Sequence, residues 1–174
     1  GRGSAVTLRA MISAPPSTDD LDSALDAAYG LGRAETGKGA VATYIPELAR
    51  ADPSHFGLAI ATVAGDSYVR GDTAVAFTFQ SVSKVFALSY LLSTEGRAVF
   101  DDVSCKPSGD AFHSIVKLEE EQGEPRNPYI NAGAILVSSR MPGETAVDKS
   151  RGLRTFLSGI CDSADFPLDE AVYR

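Results

Sequence analysis

The hydrophobic pattern changes period several times along the chain. Ser17 or Thr18 offers a hydroxyl N-cap, followed by Asp19 and Asp20, whose charges suit the positive end of a helix dipole. Leu21, Leu25 and Ala28 recur at helical spacing, and Gly30 and Gly32 are expected to stop that helix. Tyr44-Ile45-Pro46-Glu47-Leu48-Ala49 predicts a short helix with Pro46 in its first position and Tyr44 in the coil before it. Residues 56–63, FGLAIATV, are apolar on both faces and predict a buried strand. Ala64-Gly65-Asp66 predicts a turn, after which Ser67-Tyr68-Val69-Arg70 returns as the partner strand. A further apolar stretch, VAFTFQ, is expected to run as a strand into Ser81.

At Ser81 the period becomes helical. SVSKVFALSYLLSTEG places Val85, Leu88 and Leu92 on one face, with Gly96 as the cap, and is nearly apolar all round, which predicts a central helix. Pro107-Ser108-Gly109 predicts a turn, and residues 111–122 an amphipathic helix with Glu119, Glu120 and Glu121 towards water. Asn127-Pro128 breaks the chain before a packed segment opening at Asn131. A last full helix is expected around 148–161, and LDEAVYR reads as the start of another. This strand and helix mixture predicts an α+β fold, with helices packed on an antiparallel sheet. Residues 1–17, with Gly1, Gly3, Pro15 and Pro16, are expected to form a flexible leader, and 18–174 to form the folded part.

Composition narrows the function classes. A chain of 174 residues is long enough for one domain with its own core. Sixteen Lys and Arg against twenty-three Asp and Glu leave a net charge of −7, without the clustered positive face that nucleic acid requires. No apolar run approaches the length of a membrane span, so neither nucleic acid nor membrane is an expected partner. Cys105 and Cys161 are too few for a disulfide scaffold and suit a reduced, cytoplasmic setting. With His55 and His113 they form no zinc-ligand pattern, so no metal is expected.

The candidate chemistry lies at Ser81-Val82-Ser83-Lys84. Residues three apart share a helix face, which sets a hydroxyl beside an amine. A serine becomes a strong nucleophile when a base takes its proton. A lysine is that base only when neutral, and burial in an apolar helix near the dipole's positive end favours the neutral form. The bland alternative is a Ser cap followed by a lysine reaching to water. Ser83 competes as nucleophile, but adjacent helical side chains diverge by about 100°. A second copy, Ser114-Ile115-Val116-Lys117, leads into the acidic run and is read as a solvated structural pair.

Phe79-Gln80-Ser81-Val82-Ser83-Lys84-Val85-Phe86 resembles the nucleophile motif of the serine-dependent glutaminases. Further motifs follow in the family's order. Tyr44-Ile45-Pro46-Glu47-Leu48-Ala49 resembles Y-I-P-x-L-A. Lys106-Pro107-Ser108-Gly109, Phe112, Ser114-Ile115 and Leu118-Glu119 resemble E-P-S-G…F-N-S-I…L-E. Pro125-Arg126-Asn127-Pro128-Tyr129-Ile130-Asn131-Ala132-Gly133-Ala134-Ile135 resembles P-x-N-P-M-I-N-A-G-A-I. The likeness covers roughly residues 38–137. His113 stands where the family usually has Asn, Tyr129 where it has Met, and Lys106 where it has Glu.

The resemblance implies the serine β-lactamase/DD-peptidase-like fold, of which this chain is expected to carry the N-terminal portion. It implies hydrolysis of L-glutamine to L-glutamate and ammonia with no cofactor, by a protein that is generally a homodimer or homotetramer. By the same resemblance Ser81 attacks the side-chain amide carbon, Lys84 takes its proton, and the Ser81 N–H helps hold the oxyanion. Tyr44, Gln80, Ser81 and Asn131 match positions that bind substrate, and two amides and a phenol suit a zwitterion. The competing readings are a β-lactamase or peptidase, towards which the Y-x-N of Tyr129-Ile130-Asn131 points, and an inactive fragment of a glutaminase. The N-A-G-A-I run favours the glutaminase.

Overall fold

A computed structural model describes residues 16–108, 124–161 and 166–173. They group into two compact units, 16–77 with 170–173, and the described residues of 78–169. The second SxxK copy, His113 and the predicted 111–122 helix lie outside the described residues.

In the first unit, helix α1 spans Thr18–Glu35. Ser17 caps it in a reciprocal box: its hydroxyl oxygen accepts the Asp20 N–H, while the Asp20 carboxylate accepts the Ser17 N–H. The expected stop at Gly30 and Gly32 is not taken. The helix continues to Glu35 because Gly32 lies beneath the Phe56 ring, where a Cβ would collide with it. A packing gain of this kind overrides the roughly 1 kcal/mol that glycine costs within a helix. Leu25 is the buried residue of the helix. Tyr29, rather than the exposed Ala28, extends that face by stacking on Phe56 at 5.6 Å between centroids.

Strands β1 (Gly57–Ala61) and β2 (Ser67–Gly71) pair antiparallel, with Leu58 opposite Arg70 and Ile60 opposite Tyr68. The hairpin closes as expected, with the Thr62 N–H donating to Asp66 O and Gly65 at φ +97°. The expectation of burial on both faces fails. Burial alternates along each strand, because α1 covers only the face carrying Leu58, Ile60, Tyr68 and Arg70. Arg70 fastens that face to α1 through Asp26 at 2.6 Å and Asp22 at 2.8 Å, and this pairing holds the Asp26 carboxyl below its ordinary pKa. Leu48–Arg50 form a single 3₁₀ turn, with Pro46 two residues before it rather than in its first position. The predicted strand at 75–80 does not form either; Val75 and Phe77 are exposed there, and no described strand pairs with them.

The second unit is built around helix α2 (Ser83–Glu95), which ends at Gly96 with φ +63°. A 3₁₀ segment follows at Gly96–Asp101, then α3 (Asn131–Arg140) and α4 (Ala146–Cys161). The core joins Ala87, Leu88 and Leu91 of α2 to Val99, Val103, Val137 and Met141. The central helix is therefore found, but its inward face is shifted: Val85 is exposed and Leu92 only partly buried. Tyr90 packs tilted against Phe156 at 5.3 Å between centroids, with Gly152 beneath its hydroxyl. The short α5 (Glu170–Tyr173) groups with the first unit. No helix among the described residues is long and apolar enough to cross a membrane.

Replacing Ser17 by Ala is expected to cost about 1 kcal/mol by removing the cap oxygen. The cost will depend on pH. The Ser17 side-chain and backbone donors hold the Asp20 carboxyl below its ordinary pKa. A depressed carboxylate stabilises the fold above its unfolded pKa of about 4, and that contribution is lost as pH falls through the folded value. Urea melts at pH 7 and pH 3 check this; an equal gap between the two proteins at both pH values would contradict it.

Candidate active site

The second unit brings Gln80, Ser81, Lys84 and Asn131 to the starts of α2 and α3. Ser81 is not the first residue of the α-helix. It lies in a 3₁₀ turn, Gln80–Val82, that leads into α2, and it is exposed. Lys84 follows three residues later, in the first turn of α2. The first bond of the turn runs from the Val82 N–H to Phe79 O at 2.9 Å. The Ser81 N–H thus precedes the helical ladder, among the donors that a helix start leaves without an internal acceptor.

Gln80 sits at φ +45°, the left-handed region that side chains other than glycine seldom adopt. Ser83, a rival nucleophile in the sequence, has a different occupation here. Its hydroxyl donates to Gln80 O at 2.6 Å, and its N–H reaches the same carbonyl. It clamps the strained residue just before Ser81. The Gln80 side-chain amide donates to Thr78 Oγ1 at 3.4 Å. Beneath the turn Phe79 stacks on Phe86 at 5.4 Å between centroids and meets Phe166 at 6.0 Å.

Lys84 differs from the expectation of apolar burial. It is half-buried, and its Nζ donates to Asn131 Oδ1 at 2.8 Å and to Tyr129 O at 3.0 Å. Nζ is the donor in this contact, so the acceptor end of the Asn131 amide faces it. The oxygen is turned to Lys84, and the Nδ2 donors are directed away. Tyr129 contributes its carbonyl, while its ring is exposed. Tyr44, the remaining predicted site residue, belongs to the first unit. It is exposed, in the bend before the Leu48–Arg50 turn.

Asn127 was legible only as a chain break, yet it organises the entry to α3. Its Oδ1 accepts the N–H groups of Tyr129 and Ile130, at 3.0 and 3.1 Å. The N-P dipeptide is a turn signal in which an Asn side chain bonds the backbone two residues on, and that rule could have found it. Gly133 is buried against the same bend, where a Cβ would run into the Asn127 carbonyl.

A glutaminase family model matches residues 39–174. A glutaminase of Rhizobium meliloti (strain 1021) is 42% identical over 161 residues, covering 92% of this chain and 51% of the relative. The solved structure of the probable glutaminase ybaS is similar with a TM-score of 0.75 at 32% identity, over 82% of this chain and 46% of that one. A probable glutaminase from Bacillus subtilis complexed with 6-diazo-5-oxo-L-norleucine gives 0.70 at 28% identity, over 93% and 48%. The helices and small antiparallel sheet are those of a partial serine β-lactamase-like α+β domain. The chain belongs to the glutaminase family, and it spans about half the length of the curated relatives it matches.

Gly133→Ala is expected to destabilise the second unit by about 1–3 kcal/mol through overpacking at Asn127. Gly159→Ala on α4, where nothing lies within 4 Å of the new methyl, should stabilise by about 0.5–1 kcal/mol from helix propensity. Thermal melts of the two variants should move in opposite directions.

Proposed function

We propose that the protein hydrolyses the side-chain amide of L-glutamine to L-glutamate and ammonia through a covalent Ser81 ester. The observation that carries this reading is the placement of Lys84 Nζ, three residues after Ser81, on the two oxygens of Tyr129 and Asn131. A neutral amine has two N–H bonds and one lone pair. Two acceptors take the two hydrogens and so orient the lone pair as a base for the neighbouring hydroxyl.

The steps balance without a co-reactant other than water. Ser81 Oγ bonds to the amide carbon as its proton passes to Lys84 Nζ. The carbonyl oxygen becomes an oxyanion, and the Ser81 N–H at the helix start faces charge of that sign. As the tetrahedral carbon collapses, its C–N bond breaks and the Lys84 proton leaves on ammonia. Water then attacks the γ-glutamyl ester and gives its proton to Lys84. Glutamate departs as Ser81 Oγ recovers that proton.

Recognition is assigned to Tyr44, Gln80, Ser81 and Asn131. The Nδ2 donors of Asn131 suit an anionic carboxylate, because its oxygen is engaged by Lys84. The B. subtilis relative's ligand supports the substrate class, since 6-diazo-5-oxo-L-norleucine keeps the amino-acid head and places a ketone where glutamine has its amide carbonyl. We further propose that residues 18–174 are the N-terminal part of a glutaminase catalytic domain that acts without cofactor in a homodimer or homotetramer; the family match over residues 39–174 supports the glutaminase part of that reading. A cytoplasmic setting is consistent with the exposed free thiols of Cys105 and Cys161.

The β-lactamase or peptidase reading rested on Tyr129-Ile130-Asn131 as a Y-x-N motif. Lys84 uses the carbonyl of Tyr129, which any residue supplies, so the phenol that motif calls for has no part in the contact.

Ammonia release from L-glutamine tests the assignment. Ser81→Ala is expected to lower it by about 10³-fold or more, on the scale of nucleophile deletions elsewhere, with Lys84→Ala close behind. In the parent, 6-diazo-5-oxo-L-norleucine should add one covalent adduct that the Ser81→Ala variant lacks. Release that survives Ser81→Ala would refute the nucleophile. A stable penicillin adduct on Ser81, without glutamine turnover, would establish the competing class; a glutamine-induced shift in melting temperature without turnover would indicate a binding module.

A further inference from the structure

The peptide plane between Tyr129 and Ile130 is held from both sides. Its N–H, on Ile130, donates to Asn127 Oδ1 at 3.1 Å, and its C=O, on Tyr129, accepts from Lys84 Nζ at 3.0 Å. A peptide unit is rigid and planar, so the direction of its N–H dictates the direction of its carbonyl. Asn127 Oδ1 also accepts the preceding N–H, from Tyr129 at 3.0 Å, which leaves this turn little freedom to rotate. On the other side Asn127 Nδ2 donates to Lys106 O at 3.1 Å, and the Lys106 N–H returns to Arg126 O at 2.8 Å. Both ends of the Asn127 amide are therefore engaged, which fixes its orientation. The residue that ends the turn, Asn131, is the other acceptor of Lys84.

We propose that Asn127 is a positioning residue that aims the Tyr129 carbonyl and the Asn131 amide at Lys84 Nζ, and so holds the Lys84 side chain beside Ser81. The proposal rests on the reading of Ser81 and Lys84 as the reacting pair, and it adds a residue that acts only through others. A merely structural Asn127 would lower stability and leave the environment of Lys84 in the folded molecule unchanged.

The two roles separate in protein carrying ¹³C,¹⁵N-labelled lysine. The Lys84 Cε and Nζ signals are assigned by their loss in Lys84→Arg. Lys149, whose amine is held by the Ser138 and Ser139 carbonyls in the same unit, reports whether that unit is folded. In Asn127→Ala the Lys84 signals should move to the position of an exposed lysine while those of Lys149 stay. In Asn127→Asp, which keeps an oxygen for both N–H groups, the Lys84 signals should remain near their parent position. Turnover of glutamine should follow the same order. We expect kcat/KM to fall about tenfold or more in Asn127→Ala, the scale on which small misplacements of a reacting group are felt, and to recover in part in Asn127→Asp.

Lys84 signals that stay in place in a folded Asn127→Ala protein would overturn the proposal. If that variant fails to fold, Asn127→Asp decides: loss of the Lys84 signals with those of Lys149 intact would overturn it equally. Signals that behave as stated in a protein that never turns over glutamine would support the positioning role and refute the proposed function.

Discussion

The second unit depends on one amine held between two oxygens. Lys84 belongs to the first turn of α2, and its partners are the residue that begins α3 and a carbonyl two residues earlier. A lysine side chain carries four rotatable bonds and loses considerable freedom when ordered. It stays in one geometry only if its acceptors are themselves fixed. Most of the unusual local features of this unit serve that requirement. Ser83 clamps Gln80 in its left-handed conformation on the α2 side, and Asn127 locks the peptide plane on the α3 side.

The same two helices are fastened at their other ends. Arg140, the last residue of α3, donates to Glu95, the last residue of α2, at 2.6 Å, and also pairs with Asp102. Start meets start and end meets end, so α2 and α3 run side by side in the same direction. From Lys84 to Glu95 the rise is about 16 Å, and from Asn131 to Arg140 about 14 Å, close enough for side chains to absorb the difference. Between the two fastenings lie Leu88, Leu91 and Val137. Apolar burial there supplies the attraction, but it is non-directional and would tolerate sliding. The polar contacts at the ends set the register, and register determines whether Asn131 arrives opposite Lys84.

The sequence announced elements with strong local signals. The hydroxyl cap at the start of α1, the hairpin turn at Gly65, the cap at Gly96 and the helix expected around 148–161 were all legible, because each is decided by residues within a few positions of one another. The misreadings have a common origin in contacts distant along the chain. Gly32 failed to stop α1 because Phe56 covers it, and β1 is half-exposed because, among the described residues, α1 packs on one of its faces. The apolar stretch at 75–80 has strand composition but no described strand to pair with. For the site, the S-x-x-K spacing put forward Ser81 and Lys84 as candidates, and the ordered motifs put forward Tyr44, Gln80 and Asn131; of these the structure sets Lys84 against Asn131. The surroundings of Lys84 were not legible, since apolar flanking residues suggested burial where two oxygens in fact wait.

That difference explains which departures from the family pattern matter. Lys84 takes from position 129 only a main-chain oxygen, and the Tyr129 ring points to solvent. A side chain at such a position can change while the contact persists. Positions 127, 131 and 133 have no such latitude. The first needs an oxygen that can receive two successive N–H groups, the second an amide with an acceptor on one side and donors on the other, and the third no Cβ at all. A motif read as a string of letters weights these positions alike. The hydrogen bonds divide them into those that present backbone and those whose side-chain chemistry is fixed, and only the second kind constrains the acceptors that hold Lys84.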